Sequence, residues 1–491
     1  MTDADFLAWL KNQSAARITL VEVVVNVSGV ETTRYLSTGG YVTSATDSPA
    51  NTQYEPIITQ GITFTEQLSL TGGASLSAGD ISVYNYSGER DGWLNNVWDG
   101  RGIQVFVGDA AWAREDFRMI FNGVVSGLGS KDRNTLNISL RDKLGRLNYP
   151  LSDVKLGGTT VNKDALLPLC FGEGHNINPL LSDPALLQYA VHGGAVENSV
   201  EIRDNGIPVS ATVDNSTGRF VLNQASVGQI TASVQGDKYS GIYSNTISSL
   251  VQRIVTGYGK ASERFVTDDL DTTNLSAFDT AHPQPVGIYA EGRENVLTTC
   301  DSLASSVGAQ VVMSRLGKMR LVQLAIPGTG AAVDIGPAQM LEKSLSIAER
   351  PEVASTFQLG FNKNYTVESG LVTAIPEEHK RLFAEEWLTT TQTDNTVATK
   401  YKQDTAPVMI ETALLRRTDA DVEASRRLAL WKVQRTVFQM TCTADMLLLL
   451  ELGGAVTLTH DRFGLSAGVA GTVISLAPDW ATGKVVVKVI V

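Results

Sequence analysis

Histidine and cysteine are scarce in this chain: five histidines and three cysteines among 491 residues leave little material for a metal cluster or an activated nucleophile. The cysteines, Cys170, Cys300 and Cys442, are odd in number and far apart. That excludes a disulfide framework and fits synthesis in a reducing cytoplasm. No polybasic arm is present. The 40 Lys and Arg are scattered against 52 Asp and Glu, giving a net charge of −12. Without a row of cations there is nothing to neutralise phosphates and release counterions, so specific nucleic-acid binding is not expected. Long apolar runs are missing as well. Leu447 to Leu450 is too short to span a bilayer, and MTDADFLAWLKNQSAA has neither a basic n-region nor an apolar h-region. Neither a signal peptide nor membrane insertion is therefore expected. There is no G-x-x-x-x-G-K-S/T, dinucleotide fingerprint or H-E-x-x-H, and no repeat with a period typical of solenoids or propellers.

What is present points to several folded cores. A chain of 491 residues exceeds what one core supports, and 43% hydrophobic with 19% charged residues is the balance of a folded protein. Thr2 can cap a short helix whose apolar face is Phe6, Leu7 and Leu10. Then ITLVEVVVNVSG, RYLSTGGYVT, ITFTEQLSLTGG, GDISVYNY, GIQVFVGD, FRMIFNGVVSGL and NTLNISLRD read as strands of an antiparallel β domain over residues 1–150. Residues 151–240 read as a small β domain with turns at Asp204-Asn205-Gly206 and Ser216-Thr217-Gly218. Residues 241–339 read as an α+β domain. Its helices are SNTISSLVQRIVTGYG and RENVLTTCDSLASSVG, followed by strands QVVMSR and KMRLVQL across Leu316-Gly317. Residues 340–491 read as a C-terminal β domain with one long helix, TDADVEASRRLALWKVQR, expected to start on a Thr418 cap with Asp421 three residues on. The predicted class is mainly β with α+β insertions, multidomain.

The most chemical-looking stretch is LCFGEGHNINP, Leu169 to Pro179, which places Cys170, Glu173 and His175 within six residues. A zinc site needs a fourth ligand, and the nearest other histidine, His192 in VHGG, stands in a different context. A thiolate nucleophile is disfavoured because acidic Glu173 raises the thiol pKa. The expectation is a buried small Cys170, a turn at His175-Asn176 and a shaped connector between modules. Glu377, Glu378, Glu385 and Glu386 in PEEHKRLFAEEW supply carboxylates for glycoside hydrolysis, but adjacent acids at helical spacing describe a solvated face with Phe383 and Trp387 packed beneath. TDDLDTT, residues 267–273, lacks the glycine and distal glutamate of a calcium loop and reads as a helix start. Trp93, Trp98 and Trp112, near Asp91, Asp99 and Asp109, offer a sugar platform or the closure of a barrel mouth, and the second fits their setting of hairpin ends. No catalytic, cofactor-binding or metal-ligating residue is predicted.

Whole segments carry more than these motifs. YEPIITQGITFTEQLSLTGGASLSAGDISVYNYSGERDGWLNNVWDGRGIQVFVGD, followed by FRMIFNGVVSGL, resembles tail hub proteins of tailed bacteriophages in its Y-x-P-x-I, G-D-I-x-x-x-N, D-x-W and F-x-x-I-F-x-G elements. The likeness continues through SLRDKLGRLNYPL, PLCFGEGHNINPLL, IRDNGIPV, AHPQPVGIY and RFGLSAGVAGTVISLAPDW, nearly the whole chain. It implies two tube-like antiparallel β-barrel domains per chain, matching the β domains at 1–150 and 340–491, so that a homotrimer presents a pseudo-six-fold ring. It further implies a structural, non-enzymatic baseplate hub at the virion tail tip, synthesised in the host cytoplasm. The implied partners are distal tail or tail-tube proteins, a tape measure protein and a central fibre or spike. An acidic chain suits a channel through which DNA slides without sticking. The alternatives are a tail-associated cell-wall or polysaccharide hydrolase and a distal-tail or fibre-attachment protein.

Overall fold

Thr2 starts the first helix as its sequence dictates: the hydroxyl accepts the Asp5 N–H at 3.2 Å while the Asp5 carboxylate reaches back to the Thr2 N–H. The helix, Asp3–Lys11, buries Phe6 and Leu10. In the computed structural model the described residues are 1–491 except 13, 60, 61, 71–74, 331, 370, 372–374, 404 and 405; the side chains of Ser75, Ala78 and Glu378 also lie outside them. The end of the strand read over ITFTEQLSLTGG, residues 71–73, therefore falls outside the described residues. The class is mainly β with helical insertions, and the chain forms two compact units. Each is assembled from separate pieces of sequence: residues 1–145, 312–351 and 434–491 form one, and 146–311 with 352–433 form the other.

The first unit contains a six-stranded sheet in the order Val30–Ser37, Arg17–Val27, Gly102–Asp109, Arg118–Asp132, Thr135–Arg141, Ile81–Tyr84, antiparallel throughout. Alternation sets its faces: Val21, Val23 and Val25 of the β-branched strand point into one core, and Ile18 and Leu20 join Tyr41, Tyr54, Phe106 and Phe117 in a second cluster. An eight-stranded sheet is built from the other end of the chain, in the order Val333–Ile335, Ala455–Leu458, Val469–Asp479, Lys484–Ile490, Val437–Cys442, Ser346–Glu349. Its remaining strands come from the N-terminal region: Phe64–Gln67 pairs with Val469–Asp479, and Ser75–Ala78 pairs with Phe64–Gln67. Val473, Leu476, Val485, Val487 and Val489 enter the same core as Val21, Val23 and Val25. Residues 340–491 thus do not form one unit, because 352–433 cluster with the second. Sequence proximity places a segment after its neighbour, but burial of its apolar face decides which core it joins.

Among the described residues the second unit holds three sheets. One contains Ile207–Pro208, Val196–Asp204, Ile230–Tyr239, Leu169–Ile177 and Gly287–Ala290 in that order, with Ile242–Tyr243 also paired to Ile230–Tyr239. Another orders Leu180–Asp183, Gln188–Ala190, Arg219–Leu222 and Ala211–Asp214; the third places Thr356–Phe361 between Leu388–Thr393 and Met409–Glu411. The expected turns are present, with Asn205 at φ 48°, Gly206 at φ 80° and Gly218 at φ 62°. Helices Ile247–Gly257 and Val296–Ser305 bury the apolar residues that their spacing marks, the second capped by Asn295, whose side chain accepts the Leu297 and Thr298 N–H groups. The long helix, Arg417–Trp431, begins one residue before Thr418, and its N-cap Arg416 makes no side-chain cap bond. The cap predicted at Thr418 does not form because the carboxylate of Asp421 is taken by the Thr390 hydroxyl and by Arg417.

Phe64 is buried and stacks on Phe121 with ring centroids 5.4 Å apart, so it anchors the strand Phe64–Gln67, which pairs in the eight-stranded sheet, against Arg118–Asp132 of the six-stranded one. Phe64→Ala is expected to cost about 3–5 kcal/mol. Calorimetric unfolding checks this, and a loss below about 1 kcal/mol would show that the strand is not anchored there.

Candidate functional site

LCFGEGHNI is not a connector. Leu169–Ile177 is an interior strand, pairing Leu169–Gly172 with Ala290–Gly287 on one side and Glu173, Gly174 and Ile177 with Gln235, Val234 and Ala232 on the other. The glycines that read as turn residues serve close backbone approach instead. A Cβ at Gly172, where φ is 63°, would overlap the Val286 carbonyl oxygen; one at Gly236 would overlap that of Cys170, and one at Gly287 that of Glu173. The His175-Asn176 turn shrinks to a bulge between Gly174 and Ile177, with Asn176 left-handed at φ 50°.

The strand separates the three chemical residues. Cys170 is fully buried, and burial, with Glu173 and Asp237 adding to it, pushes its thiol up to about 12. His192 comes to it after all, but in an unreactive way. Its Nδ1 accepts the backbone N–H of Cys170 at 3.0 Å, so the proton sits on Nε2, 3.3 Å from Asp237 Oδ1. The imidazole lone pair that could deprotonate a thiol is spent on an amide. Asp237 is gripped by Arg253 at 2.6 and 3.2 Å and by the Tyr258 hydroxyl at 2.7 Å. Burial pushes the Asp237 carboxyl up, but hydrogen bonds from His192, Arg253 and Tyr258 outweigh it and hold the group at about 2. Sequence reasoning missed this buried quartet, and the only local signal was His192 itself.

His175 turns elsewhere: its Nε2 lies 2.9 Å from the Leu382 carbonyl oxygen, and burial, reinforced by Arg203, lowers its pKa. Glu173 lines a cleft of about 230 Å³ with Glu294, Lys363, Tyr365, Trp387 and Glu411. Among the described residues no group of three His, Cys, Asp or Glu side chains could hold a metal ion.

The candidate hydrolytic carboxylates are occupied. Glu377 pairs with Lys380 at 2.5 Å, Glu385 receives a two-bond clamp from Arg381 at 2.8 and 2.9 Å, and Glu386 faces Lys363 at 3.9 Å; the Glu378 side chain lies outside the described residues. The Arg381 bond lowers the Glu385 pKa, whereas a general acid needs it raised. Phe383 is buried and Trp387 half-buried beneath this helix, Glu377–Ala384. In TDDLDTT, Asp269 pairs with Arg146 at 3.2 Å and Asp271 caps the helix Thr272–Ala281, which is the helix start expected.

The tryptophans are structural. Trp93 and Trp98 are buried with rings 5.3 Å apart, the Trp98 Nε1 donates to the Trp93 carbonyl oxygen, and Arg34 covers Trp93 at 4.5 Å. Trp112 packs on Trp9 of the first helix, and Trp9 Nε1 donates to Asp109 at 2.9 Å. Asp91 accepts from Asn85, and the Asp99 carbonyl oxygen accepts from Arg101.

No family model and no curated protein matches the chain. Solved structures to which it is similar include the 43 kDa tail protein of prophage MuSo2 from Shewanella oneidensis, at 12% identity over 96% of this chain and 98% of that one, with a TM-score of 0.41. The tail protein from Neisseria meningitidis MC58 is similar at 12% identity over 96% of each chain, TM-score 0.39. The prophage tail protein gp18 from Listeria monocytogenes EGD-e is similar at 10% identity over 96% of this chain and 94% of that one, TM-score 0.33.

Asp237→Asn breaks the ion pair of buried Asp237 with half-buried Arg253 and is expected to cost about 3 kcal/mol in denaturant unfolding. Because the folded pKa of Asp237, about 2, lies below its unfolded value, the carboxylate stabilises the protein above pH ~4 and loses that contribution, roughly 2 kcal/mol, as pH falls toward 2. The stability gap between wild type and Asp237→Asn should therefore narrow by that amount between those pH values. Cys170→Ser with His175→Ala should leave the zinc content at zero, and stoichiometric zinc in the wild-type protein would overturn the structural assignment of this strand.

Proposed function

We propose that this chain is a structural subunit of a bacteriophage tail, a homotrimeric baseplate hub that continues the tail-tube channel and adapts six-fold tube symmetry to a three-fold fibre or spike. One observation carries the reading. Two sheets, one antiparallel of six strands and one of eight that is antiparallel but for the parallel pair Val333–Ile335 and Ala455–Leu458, are drawn largely from opposite ends of the chain and built on a single core. One chain thus supplies two barrel-like walls, and three chains supply the six that a six-fold ring presents. The outer strands of these sheets retain edges: Val30–Ser37 opens with four exposed residues, and all four residues of Ser346–Glu349 are exposed. Unpaired edges are suited to burial against neighbouring subunits.

The partners that fit are distal tail or tail-tube proteins, the tape measure protein and a central fibre or spike, at the virion tail tip. DNA passes without specific contact, in keeping with the net charge of −12. Work is done by geometry, and the Arg381 clamp lowers the Glu385 pKa, the opposite of what a general acid needs.

Native mass spectrometry of the assembled tail tip is expected to find this chain as a trimer; a hexamer would favour a distal-tail ring. Zymograms on cell wall and polysaccharide should show no clearing. Clearing that Glu377→Gln or Glu385→Gln abolishes would replace the hub with a hydrolase.

A further inference from the structure

Three buried side-chain oxygens without a hydrogen-bond partner fall in one place: Asn176 Oδ1, Thr366 Oγ1 and Glu368 Oε2. Asn176 is 0% and Glu368 7% exposed, so bulk water does not satisfy them. Their residues are neighbours. Asn176 Nδ2 donates to the Thr366 carbonyl oxygen at 2.7 Å, to Asn364 Oδ1 at 2.8 Å and toward Glu368 Oε1 at 3.5 Å. Asn176 Oδ1 is bonded to the same carbon as that nitrogen, and Glu368 Oε2 to the same carbon as Oε1. The amide cannot serve the open oxygens by turning over, because its nitrogen already faces three acceptors.

The surroundings of these atoms are thus rich in acceptors. Among the described residues no cationic side chain forms an ion pair with Glu368. Arg203, whose charge is felt there, is bonded to Glu201 and to Ser233 Oγ, while Asp204 adds negative charge. A buried carboxylate without a counter-ion is costly. The open atoms are a carboxylate, an amide oxygen and a hydroxyl, with no imidazole or thiolate among them, and that donor set suits a hard cation rather than a transition metal.

The geometry points to a calcium-class divalent cation bound by Glu368 Oε2, Asn176 Oδ1 and Thr366 Oγ1, which fastens the 364–368 segment onto the bulge of Leu169–Ile177. With one carboxylate in the set, the dissociation constant should be on the order of 10⁻⁴–10⁻³ M.

The test is thermal unfolding of the full chain, stripped with chelator and titrated with calcium to about ten times that constant, together with equilibrium dialysis against radioactive calcium. One calcium per chain and a rise in Tm of about 2–4 °C are expected. Glu368→Gln, which keeps the shape and removes the charge, should abolish both, whereas Glu377→Gln on the exposed helix should retain them. The absence of bound calcium and of a Tm rise in the wild-type chain, the result that a proton or a water on Glu368 would give, overturns the proposal. So does binding that Glu368→Gln leaves intact.

Discussion

The Leu68 N–H donates to the Ile474 carbonyl oxygen at 2.8 Å, and Gln67 and Glu66 lie opposite Ser475 and Leu476. This pairing joins a strand from the first part of the chain to a sheet made by the last part, and the first unit depends on it. Each sheet alone would expose an apolar face, and backbone groups buried at the junction would lack partners. Glu66, buried at the crossing, reinforces it: its carboxylate takes the Arg315 N–H at 2.7 Å and the Arg315 guanidinium at 3.1 Å, and the Arg315 carbonyl oxygen takes the Asn122 N–H at 2.7 Å. A single acidic side chain thereby aligns three stretches of sequence.

The second unit has a comparable centre in Leu169–Ile177. Glycines at 172, 236 and 287 let three backbones approach more closely than any side chain would permit. The polar groups trapped by that approach are then paired off, His192 with the Cys170 amide and Asp237, and Asp237 with Arg253 and Tyr258. Such a network specifies one alignment, because a slipped register would leave buried charge without a partner. It explains how cysteine, histidine and aspartate can gather as structure: both His192 ring nitrogens and both Asp237 oxygens are already hydrogen-bonded within the fold.

Much of the local architecture was legible in the residues themselves. The Thr2 capping box, the β-branched run of Arg17–Val27, the turn at Asn205-Gly206 and the apolar stripe of Ile247–Gly257 each rest on interactions within a few residues. The failures share one cause. Leu169–Ile177 reads as a turn because glycine, asparagine and histidine are turn formers, yet both neighbouring strands demand small residues there. Thr418 reads as a cap, but Thr390, distant in sequence, competes for the acid that would complete the box. Nothing local distinguishes residues 352–433 from the strands that follow them, and only burial sorts them into different units.

By itself, then, the sequence determined the class of the fold, most helix and strand positions, the scarcity of histidine and cysteine, and a likeness to tail hubs carried by whole segments. Those properties follow from side-chain periodicity, turn chemistry and composition, which act over short range. Tertiary structure decided which strands pair, which unit each segment joins, and whether a polar residue is a reagent or a strut. Backbone hydrogen bonds carry no residue identity, and a buried charge acquires its partner only when distant parts of the chain converge.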